Sequence, residues 1–326
     1  MPRIIDGYLH CVIYLYPDER SAREGERAGG TGFLIGESLV PGSQVRWLGY
    51  IVTNAHIIDG GSCVVRLNSA AGGTEILSTD ERSWHRLNDG TDLAICLVEL
   101  EQSVHLVTML SRAYLLTKEW AAKINLGPGD DVALIGRYIN NEGKQKNLPT
   151  IRFGSIAQMP YEQIECAAIA PQESFLVEVR AIGGYSGSPV FVQFPEFRRL
   201  KASEGPPRLS WLLGVEWCLF HEWSRVCDGN GHPWKNGDQV AVHTGMCGVI
   251  PSWKLLELLD SEGVVTAKND AMEEIRKRRK PSPPVTMLTG AHAVKSAHPT
   301  TEQNPRHRED FSQLVTAAVK KPQQDG

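Results

Sequence analysis

The first part of the chain, up to about residue 250, consists of short apolar or alternating segments separated by clusters of glycine, proline and asparagine. Runs of roughly four to eight residues rich in β-branched and aromatic side chains predict strands, and the clusters between them predict turns. Many short strands with few helical patterns are typical of an all-β barrel or sandwich. The predicted strands are residues 8–16, 32–36, 47–53, 62–67, 93–100, 131–137, 150–158, 174–180, 189–194, 211–219 and 239–250.

A Gly-Pro-Gly-Asp sequence at 127–130 is a strong turn signal near the middle of this region. It divides the region into a first unit of about residues 8–125 and a second unit of about residues 126–250. Leucines with helical spacing at 252–260 predict a short closing helix on the second unit, with Ser252 as its N-cap. We therefore expect one domain over residues 1–262.

The character of the sequence changes after residue 262. A basic run at 277–280 is followed by a proline-rich run at 281–284, so residues 263–326 are expected to form a flexible tail. Apolar residues near the end of the tail keep helical spacing and predict a short amphipathic helix. That helix could be weakly docked, or it could bind a partner or the site of its own chain. Its apolar residues are Phe311, Leu314, Val315, Ala318 and Val319.

Composition and charge limit the classes of protein to which the chain can belong. The 326 residues are 41% hydrophobic and carry a net charge of −4, which allows a sizeable core and argues against nucleic acid as the main ligand. The seven cysteines are odd in number and scattered, which favours reduced thiols and a reducing compartment. The start of the sequence lacks the features of a signal peptide, and no apolar run is long enough to span a bilayer. We expect a cytoplasmic protein that binds neither nucleic acid nor membrane.

Three short segments carry the candidate chemistry. They are Thr-Asn-Ala-His ending at His56, Thr-Asp-Leu-Ala containing Asp92, and Gly-Tyr-Ser-Gly-Ser-Pro containing Ser186. A serine hydroxyl becomes a useful nucleophile when an imidazole takes its proton and a carboxylate fixes the imidazole tautomer. Each segment alone is a common sequence, but their order beside predicted strands favours a Ser-His-Asp triad.

Together these segments resemble trypsin-like serine peptidases of the chymotrypsin clan. They are more similar to the bacterial high-temperature-requirement type than to the secreted animal enzymes. The resemblance covers roughly residues 8–262 and implies a double β-barrel with the triad in the cleft between the barrels. It rests on Thr-Gly-Phe-Leu-Ile at 31–35, Val-Thr-Asn-Ala-His at 52–56, Thr-Asp-Leu-Ala-Ile at 91–95, Gly-Tyr-Ser-Gly-Ser-Pro at 184–189, Leu-Gly-Val at 213–215 and Val-Ile-Pro-Ser at 249–252.

The resemblance also implies catalytic roles for individual residues. His56 matches the general base, Asp92 matches the carboxylate that orients it, and Ser186 matches the nucleophile. The backbone N–H groups of Gly184 and Ser186 match the oxyanion hole. Glycines around Ser186 agree with that role, because they let the backbone bend tightly and aim its donors at the developing oxyanion.

A second set of residues matches the substrate-binding part of the family. A substrate strand would add to the segment formed by Trp217, Cys218 and Leu219, although Trp217 could equally be a core residue. Arg180 matches a position at the base of the primary specificity pocket, where a buried guanidinium would favour an acidic substrate side chain. Alternatively, Arg180 points outward or pairs with Glu178 or Glu216.

The sequence departs from the family at several positions. Tyr185 replaces the aspartate with which secreted animal relatives bind a new N-terminus after cleavage. The Arg-Ile-Ile-Asp-Gly sequence at 3–7 is similar to their cleavage site, but without that aspartate we expect no such processing. Ile57 stands where secreted relatives have cysteine, and Ser188 stands where glycine is usual.

Cys218, His221, Cys227 and His232 have a spacing similar to that of a zinc site. Loops rich in histidine and cysteine also arise without metal, and we expect neither a metal nor a cofactor.

The sequence thus predicts a serine endopeptidase that hydrolyses protein or peptide substrates through an acyl-enzyme. The alternative on the same fold is a catalytically silent peptide-binding or scaffolding module. An esterase is disfavoured because the chain lacks the alternating strands and helices of α/β-hydrolases. The sequence predicts neither the cleavage specificity nor the oligomeric state.

Overall fold

The computed structural model describes residues 4, 6–40, 46–166, 169–181, 183–194, 210–234 and 237–278. These residues form two β units with short helices at their margins, so the predicted all-β, trypsin-like fold is confirmed. The proline-rich run and the amphipathic helix predicted near the end of the chain lie outside the described residues.

The first unit has the strands β1 (Val12–Tyr16), β2 (Gly30–Leu39), β3 (Arg46–Thr53), β4 (Val64–Asn68), β5 (Thr74–Ser78), β6 (Trp84–His85), β7 (Ala94–Glu101) and β8 (Leu110–Ser111). Seven of them form one antiparallel path in the order β5-β4-β1-β2-β3-β7-β6, and β8 pairs in parallel with β2. The sheet curls into a half-barrel around fully buried side chains such as Ile13, Leu34 and Ile51.

The second unit has the strands β9 (Asp131–Gly136), β10 (Thr150–Gln158), β11 (Gln163–Cys166), β12 (Ile169–Glu173), β13 (Phe175–Val179), β14 (Pro189–Gln193), β15 (Ser210–Arg225) and β16 (Gln239–Pro251). Six of these close into a barrel in the order β10-β13-β16-β15-β14-β9, while β11 and β12 form a separate hairpin. Pairing of β15 with β16 continues to Arg225 and Gln239, and several side chains beyond Leu219 are exposed. The resulting two-stranded ribbon is longer than the predicted strands 211–219 and 239–250.

Every strand predicted from the sequence overlaps a strand of the structure, although the first observed strand begins later than predicted. Residues 8–16 start with helix α1 (Asp6–Leu9), and β1 begins only at Val12. The sequence pattern did not predict β5, β6, β8, β11 and β12. Two of these have only two residues, and the side chains of β5 are half-buried or exposed, so their apolar patterns are weak.

The remaining helices are α2 (Glu19–Glu24), α3 (Ala55–Asp59), α4 (Lys118–Lys123), α5 (Ser252–Leu259) and α6 (Glu262–Arg278). Helix α5 is the predicted closing helix, but Ser252 is not its N-cap. Pro251 occupies the N-cap position, and Ser252 is the first helical residue. The Ser252 hydroxyl instead donates to the carbonyl oxygen of Leu116 at 2.7 Å, which ties α5 to the connection between the two units.

The tail predicted from residue 263 begins instead with helix α6. Its Val264 is buried, and its Lys268 ammonium pairs with the Glu37 carboxylate at 3.0 Å, so the helix docks on the first unit. The basic residues at 276–278 lie in the last turn of α6, where positive charge complements the helix dipole. The described part of the basic run therefore lies at a helix end, whereas the sequence predicted a flexible tail there.

Within the described ranges, no helix combines the length and the apolar character needed to cross a bilayer. The seven cysteines are all free thiols, and only Cys227 among them is exposed.

Helix α5 supplies a direct test of the packing. Leu258 is fully buried, whereas its neighbour Glu257 is exposed. We expect Leu258→Ala to lower the free energy of unfolding by about 2–5 kcal/mol, because a buried leucine leaves a cavity. The control Glu257→Ala should change it by less than about 1 kcal/mol. Urea denaturation of the full chain measures both values, and equal losses would contradict the docking of α5.

Candidate active site

Strand pairing in the first unit brings His56 and Asp92 together. Thr53 at the end of β3 pairs with Ala94 at the start of β7, so the segments that follow β3 and precede β7 lie at the same edge. The Asp92 carboxylate accepts two hydrogen bonds from one residue. The backbone N–H of His56 donates to Oδ1 at 2.9 Å, and the Nδ1 atom of its ring lies 2.7 Å from Oδ2.

The backbone N–H and carbonyl oxygen of Asp92 are hydrogen-bonded as well. Asp92 is 4% exposed. The Asn54 side-chain amide donates to its carbonyl oxygen, and the Asp92 N–H donates to the side-chain oxygen of Gln172, each at 2.9 Å. Gln172 belongs to β12 of the second unit, and its own amide donates to the carbonyl oxygens of Gly90 and Ala170. The aspartate is therefore fixed by contacts from both β units.

Two glycines shape the loop of residues 183–188, which we call the Ser186 loop. Gly184 has φ +95° and Gly187 has φ +86°, a region in which other L-residues are strained. The Ser188 N–H donates to the Tyr185 carbonyl oxygen at 2.8 Å and closes the turn around Ser186. The Gly187 N–H donates to the Glu216 carbonyl oxygen at 2.9 Å, which attaches the turn to β15.

Thr31 of β2 fastens the Ser186 loop to the first unit. Its N–H donates to the Ser186 carbonyl oxygen at 2.9 Å, and its hydroxyl donates to the Gly184 carbonyl oxygen at 2.8 Å. The carbonyl oxygen of Thr31 accepts from the hydroxyl of Thr53, which lies at the end of β3 and three residues before His56. Thr31 therefore contacts both the Ser186 loop and the end of the strand that leads to His56.

Gly30 lies between the predicted segment that contains His56 and the one that contains Ser186. A Cβ atom at this position would overlap the side chain of Ile57 and would lie 3.2 Å from the Ser186 carbonyl oxygen. Ile57 directly follows His56, so the structure brings the three predicted triad residues to one place. Ser186 is half-buried, and within the described part of the chain its hydroxyl makes no hydrogen bond to the His56 ring.

The two N–H groups predicted for the oxyanion hole belong to Gly184 and Ser186. Among the described residues, neither group donates to a backbone acceptor. The Arg137 guanidinium lies against Gly184, since a Cβ atom there would be 2.8 Å from Nη2. Arg137 is itself buried and pairs with Glu142 at 2.6 Å. The Arg137 guanidinium therefore packs against the Ser186 loop while Glu142 balances its charge.

The predicted substrate segment starts in the core and ends at the surface. Trp217 is 1% exposed, and its indole N–H donates to the Ser174 hydroxyl at 3.0 Å, as in the core interpretation of this residue. Cys218 is also buried, and Leu219 is half-buried. The thiol of Cys166 contacts the Leu219 carbonyl oxygen at 3.7 Å, so the β11–β12 hairpin lies beside this segment.

Arg180 is exposed and lines an open groove together with Arg152, Glu178 and His243. It is not the enclosed guanidinium that the pocket interpretation requires. This placement is nearer to the alternative in which Arg180 points outward.

The departures from the family pattern have structural explanations. Tyr185 is fully buried, and its hydroxyl accepts from the Arg152 side chain at 3.1 Å. Ser188 is also fully buried, and its side chain lies where a Cβ atom of Gly136 would be, so the absence of a side chain at Gly136 makes room for it.

The four residues with zinc-like spacing are spread along the β15–β16 ribbon and its loop. Among the described residues, no group of three or more histidine, cysteine or acidic side chains could hold a metal ion. The His221 ring packs edge-on against His243 instead, with 5.3 Å between ring centroids. Burial, and then the proximity of His221, lower the pKa of His243.

Several residues that build the site were not predicted from the sequence. Thr31 was visible only as part of a motif, and Gln172 and Arg137 carry no local signal, because their partners lie far away in sequence. Glu216 was considered only as a partner for Arg180. Its sequence context was the clearest sign of a special position, because an acidic residue inside an apolar strand is rarely buried without a reason.

The fold is that of a trypsin-like peptidase. A family model described as a trypsin-like peptidase domain matches residues 30–193, about half of the chain. The chain therefore belongs to the trypsin-like peptidase family. No curated protein sequence matches it.

Solved structures with a similar fold include several proteases. The MamO protease domain from Magnetospirillum magneticum is 13% identical, with a TM-score of 0.43 and coverage of 78% of this chain and 98% of that chain. The Rv3671c protease from M. tuberculosis in its active form is 16% identical, with a TM-score of 0.42 and coverage of 78% and 81%. The HtrA-type protease AlgW with a decapeptide is 15% identical, with a TM-score of 0.39 and coverage of 77% and 52%.

The Ser186 loop yields a second prediction. Gly187 and Gly72 both have φ near +90°, so alanine at either should cost about 1–2 kcal/mol of backbone strain. At Gly187 a Cβ atom would also overlap the Thr31 carbonyl oxygen and the Thr53 hydroxyl, whereas nothing lies within 4 Å at Gly72. We expect Gly187→Ala to lose a further ~1–3 kcal/mol in urea denaturation. Equal losses in the two variants would refute the tight contact.

Proposed function

We propose that this protein is a serine endopeptidase in which Ser186 is the nucleophile, His56 the general base and Asp92 the carboxylate that orients His56. The observation that carries the proposal is the pair of hydrogen bonds from His56 to the Asp92 carboxylate. An ionised carboxylate only accepts hydrogen bonds, so the ring proton resides on Nδ1 and the Nε2 lone pair is left for the serine.

The reaction follows from these positions. Nε2 of His56 takes the proton of the Ser186 hydroxyl as its oxygen attacks the carbonyl carbon of a peptide bond. The N–H groups of Gly184 and Ser186 stabilise the oxyanion that forms. The imidazolium then gives its proton to the leaving amine, and an acyl-enzyme remains for water to hydrolyse. Catalytic hydrogen bonds are often longer in empty sites, so the serine–histidine bond is expected to form when substrate binds.

Peptide binding by strand addition suits the edge of β15. Pairing of β15 with β14 runs from Ser210 to Val215. The next residue along this edge, Glu216, makes its backbone hydrogen bonds to Gly187 and Ser188 of the Ser186 loop. Beyond that point, the segment formed by Trp217, Cys218 and Leu219 has a backbone edge next to the nucleophile. Because the Trp217 side chain is anchored in the core, its backbone would contact the peptide. The contribution of Arg180 to substrate selection remains a prediction.

The serine chemistry is tested with a fluorophosphonate probe, which reacts covalently with activated serines. The wild type should be labelled in a time-dependent manner, and Ser186→Ala should not be labelled. Ser103→Ala, which changes an exposed serine in a turn of the first unit, serves as the matched control and should label like the wild type. Labelling that persists in Ser186→Ala would remove Ser186 from the mechanism. No labelling of the wild type would favour the silent peptide-binding module.

The role of Asp92 is tested with Asp92→Asn. The amide cannot accept both hydrogen bonds from His56 and favours the wrong tautomer of the ring. We expect the labelling rate to fall by about 10⁴-fold, the loss typical of this change in Ser-His-Asp triads. Asp89→Asn changes an exposed carboxylate of the same loop and should leave the rate unchanged. Comparable rates in the two variants would contradict an orienting role for Asp92.

A further inference from the structure

Arg137 carries a positive charge into the protein interior, against the Ser186 loop. It is 3% exposed, and its Nε atom has no hydrogen-bond partner among the described residues. A buried cation with an unused donor is costly, so the position calls for an explanation beyond packing. The guanidinium lies beside Gly184, since a Cβ atom added to Gly184 would be 2.8 Å from Nη2 and 3.0 Å from Nε.

Arg137 restrains Gly184 in two ways. Its backbone N–H donates to the Thr31 hydroxyl at 3.2 Å, and this hydroxyl donates to the Gly184 carbonyl oxygen at 2.8 Å. Its guanidinium fills the space that a side chain of Gly184 would need. Because this space is occupied, the Gly184 backbone cannot move towards Arg137 while the guanidinium stays in place.

Glu142 keeps the guanidinium in place. Its carboxylate pairs with Nη1 of Arg137 at 2.6 Å, and its side chain is only 12% exposed. Glu142 belongs to the connection between β9 and β10, residues 137–149, which we call the bridging loop. Among the described residues no other carboxylate pairs with Arg137, and a buried charge that loses its one partner is strongly disfavoured.

The first unit fixes the bridging loop next to Glu142. The buried guanidinium of Arg66, on β4, donates to the carbonyl oxygens of Gly143 and Lys144, each at 2.9 Å. Further along the loop, the Asn147 side-chain amide donates to the Arg66 carbonyl oxygen at 2.7 Å. Glu142 directly precedes the two residues that Arg66 holds, so contacts with the first unit set its position although the loop belongs to the second.

We propose that Arg137 and Glu142 are positioning residues that hold Gly184 in the conformation in which its N–H group stabilises the oxyanion. This inference rests on the proposed serine chemistry. Without the guanidinium, the Gly184 peptide gains room to shift, and its N–H group is no longer aimed at the reacting oxygen. The loss falls on the reaction step and leaves peptide binding unchanged, because the peptide adds to the edge of β15.

The test measures fluorophosphonate labelling in full-length Arg137→Met and Arg137→Lys, at a temperature at which circular dichroism shows each variant to be folded. The phosphoryl oxygen of the probe takes the place of the oxyanion, so labelling reports on the oxyanion donors. The dependence on probe concentration separates the maximal rate constant from the probe affinity. We expect the maximal rate constant to fall about tenfold or more in both variants with unchanged affinity, since removing a donor outright costs about 10²–10³-fold.

The lysine variant distinguishes positioning from a purely structural ion pair. Lysine keeps the charge and can pair with Glu142, but it lacks the planar group that fills the space beside Gly184. Arg137→Lys should therefore keep a higher urea midpoint than Arg137→Met, which leaves the Glu142 carboxylate without its partner. A purely structural pair would regain labelling together with stability in the lysine variant, whereas positioning predicts that only stability returns.

Glu142→Gln tests the other half of the ion pair. Glutamine keeps the size of the side chain but does not neutralise Arg137, so the maximal rate constant should again fall about tenfold. Glu26→Gln is the matched control, because Glu26 is an exposed carboxylate that pairs with Lys144 of the same loop at 3.6 Å. It should label like the wild type. Arg137→Met combined with Glu142→Gln should be no slower than Arg137→Met alone, since the two residues act through one contact.

The outcomes separate this inference from the proposed function. Normal labelling of the wild type with an unchanged maximal rate constant in Arg137→Lys would overturn the positioning role and leave the serine chemistry intact. A change of probe affinity in place of the maximal rate constant would also overturn it, as would a Glu26→Gln variant as slow as Glu142→Gln. A wild type that is never labelled would refute the serine chemistry, and the positioning role would fall with it.

Discussion

The site depends on the attachment of the Ser186 loop to Thr31. The loop belongs to the second unit, whereas His56 and Asp92 belong to the first, so their spacing is fixed only by contacts across the two units. Thr31 donates to the carbonyl oxygens of Ser186 and Gly184 and accepts from Thr53. A displacement of one unit relative to the other would break these hydrogen bonds in a buried environment, where unmade bonds are costly.

The same requirement explains why small residues surround the loop. The loop approaches the backbone of β2 closely, and its turn needs φ values that suit glycine at Gly184 and Gly187. Gly30 leaves space for Ile57, which directly follows the histidine, and Gly136 leaves space for Ser188. These glycines come from separate strands, so the close packing of the site depends on residues distant in sequence.

The parts of the structure predictable from sequence are those with local signals. Apolar runs located the long strands, and the three short segments located His56, Asp92 and Ser186. Short strands such as β6 gave no usable pattern, and α6 was obscured by a basic run that complements its dipole. The residues that support these three could not be predicted, because Thr31 lies 153 residues from Gly184, Gln172 lies 80 residues from Asp92, and Arg137 contacts Gly184 from another part of the chain.

Glu216 illustrates how burial changes the meaning of a residue type. In an exposed strand an isolated glutamate is a solvated charge, but at this position water is excluded and the charge that acts on it is another carboxylate. The second unit contacts the first at Thr31 through the Ser186 loop, and it contacts Asp92 through Gln172, whose side-chain oxygen accepts from the Asp92 N–H. A displacement of the second unit should therefore affect Ser186 and Asp92 together.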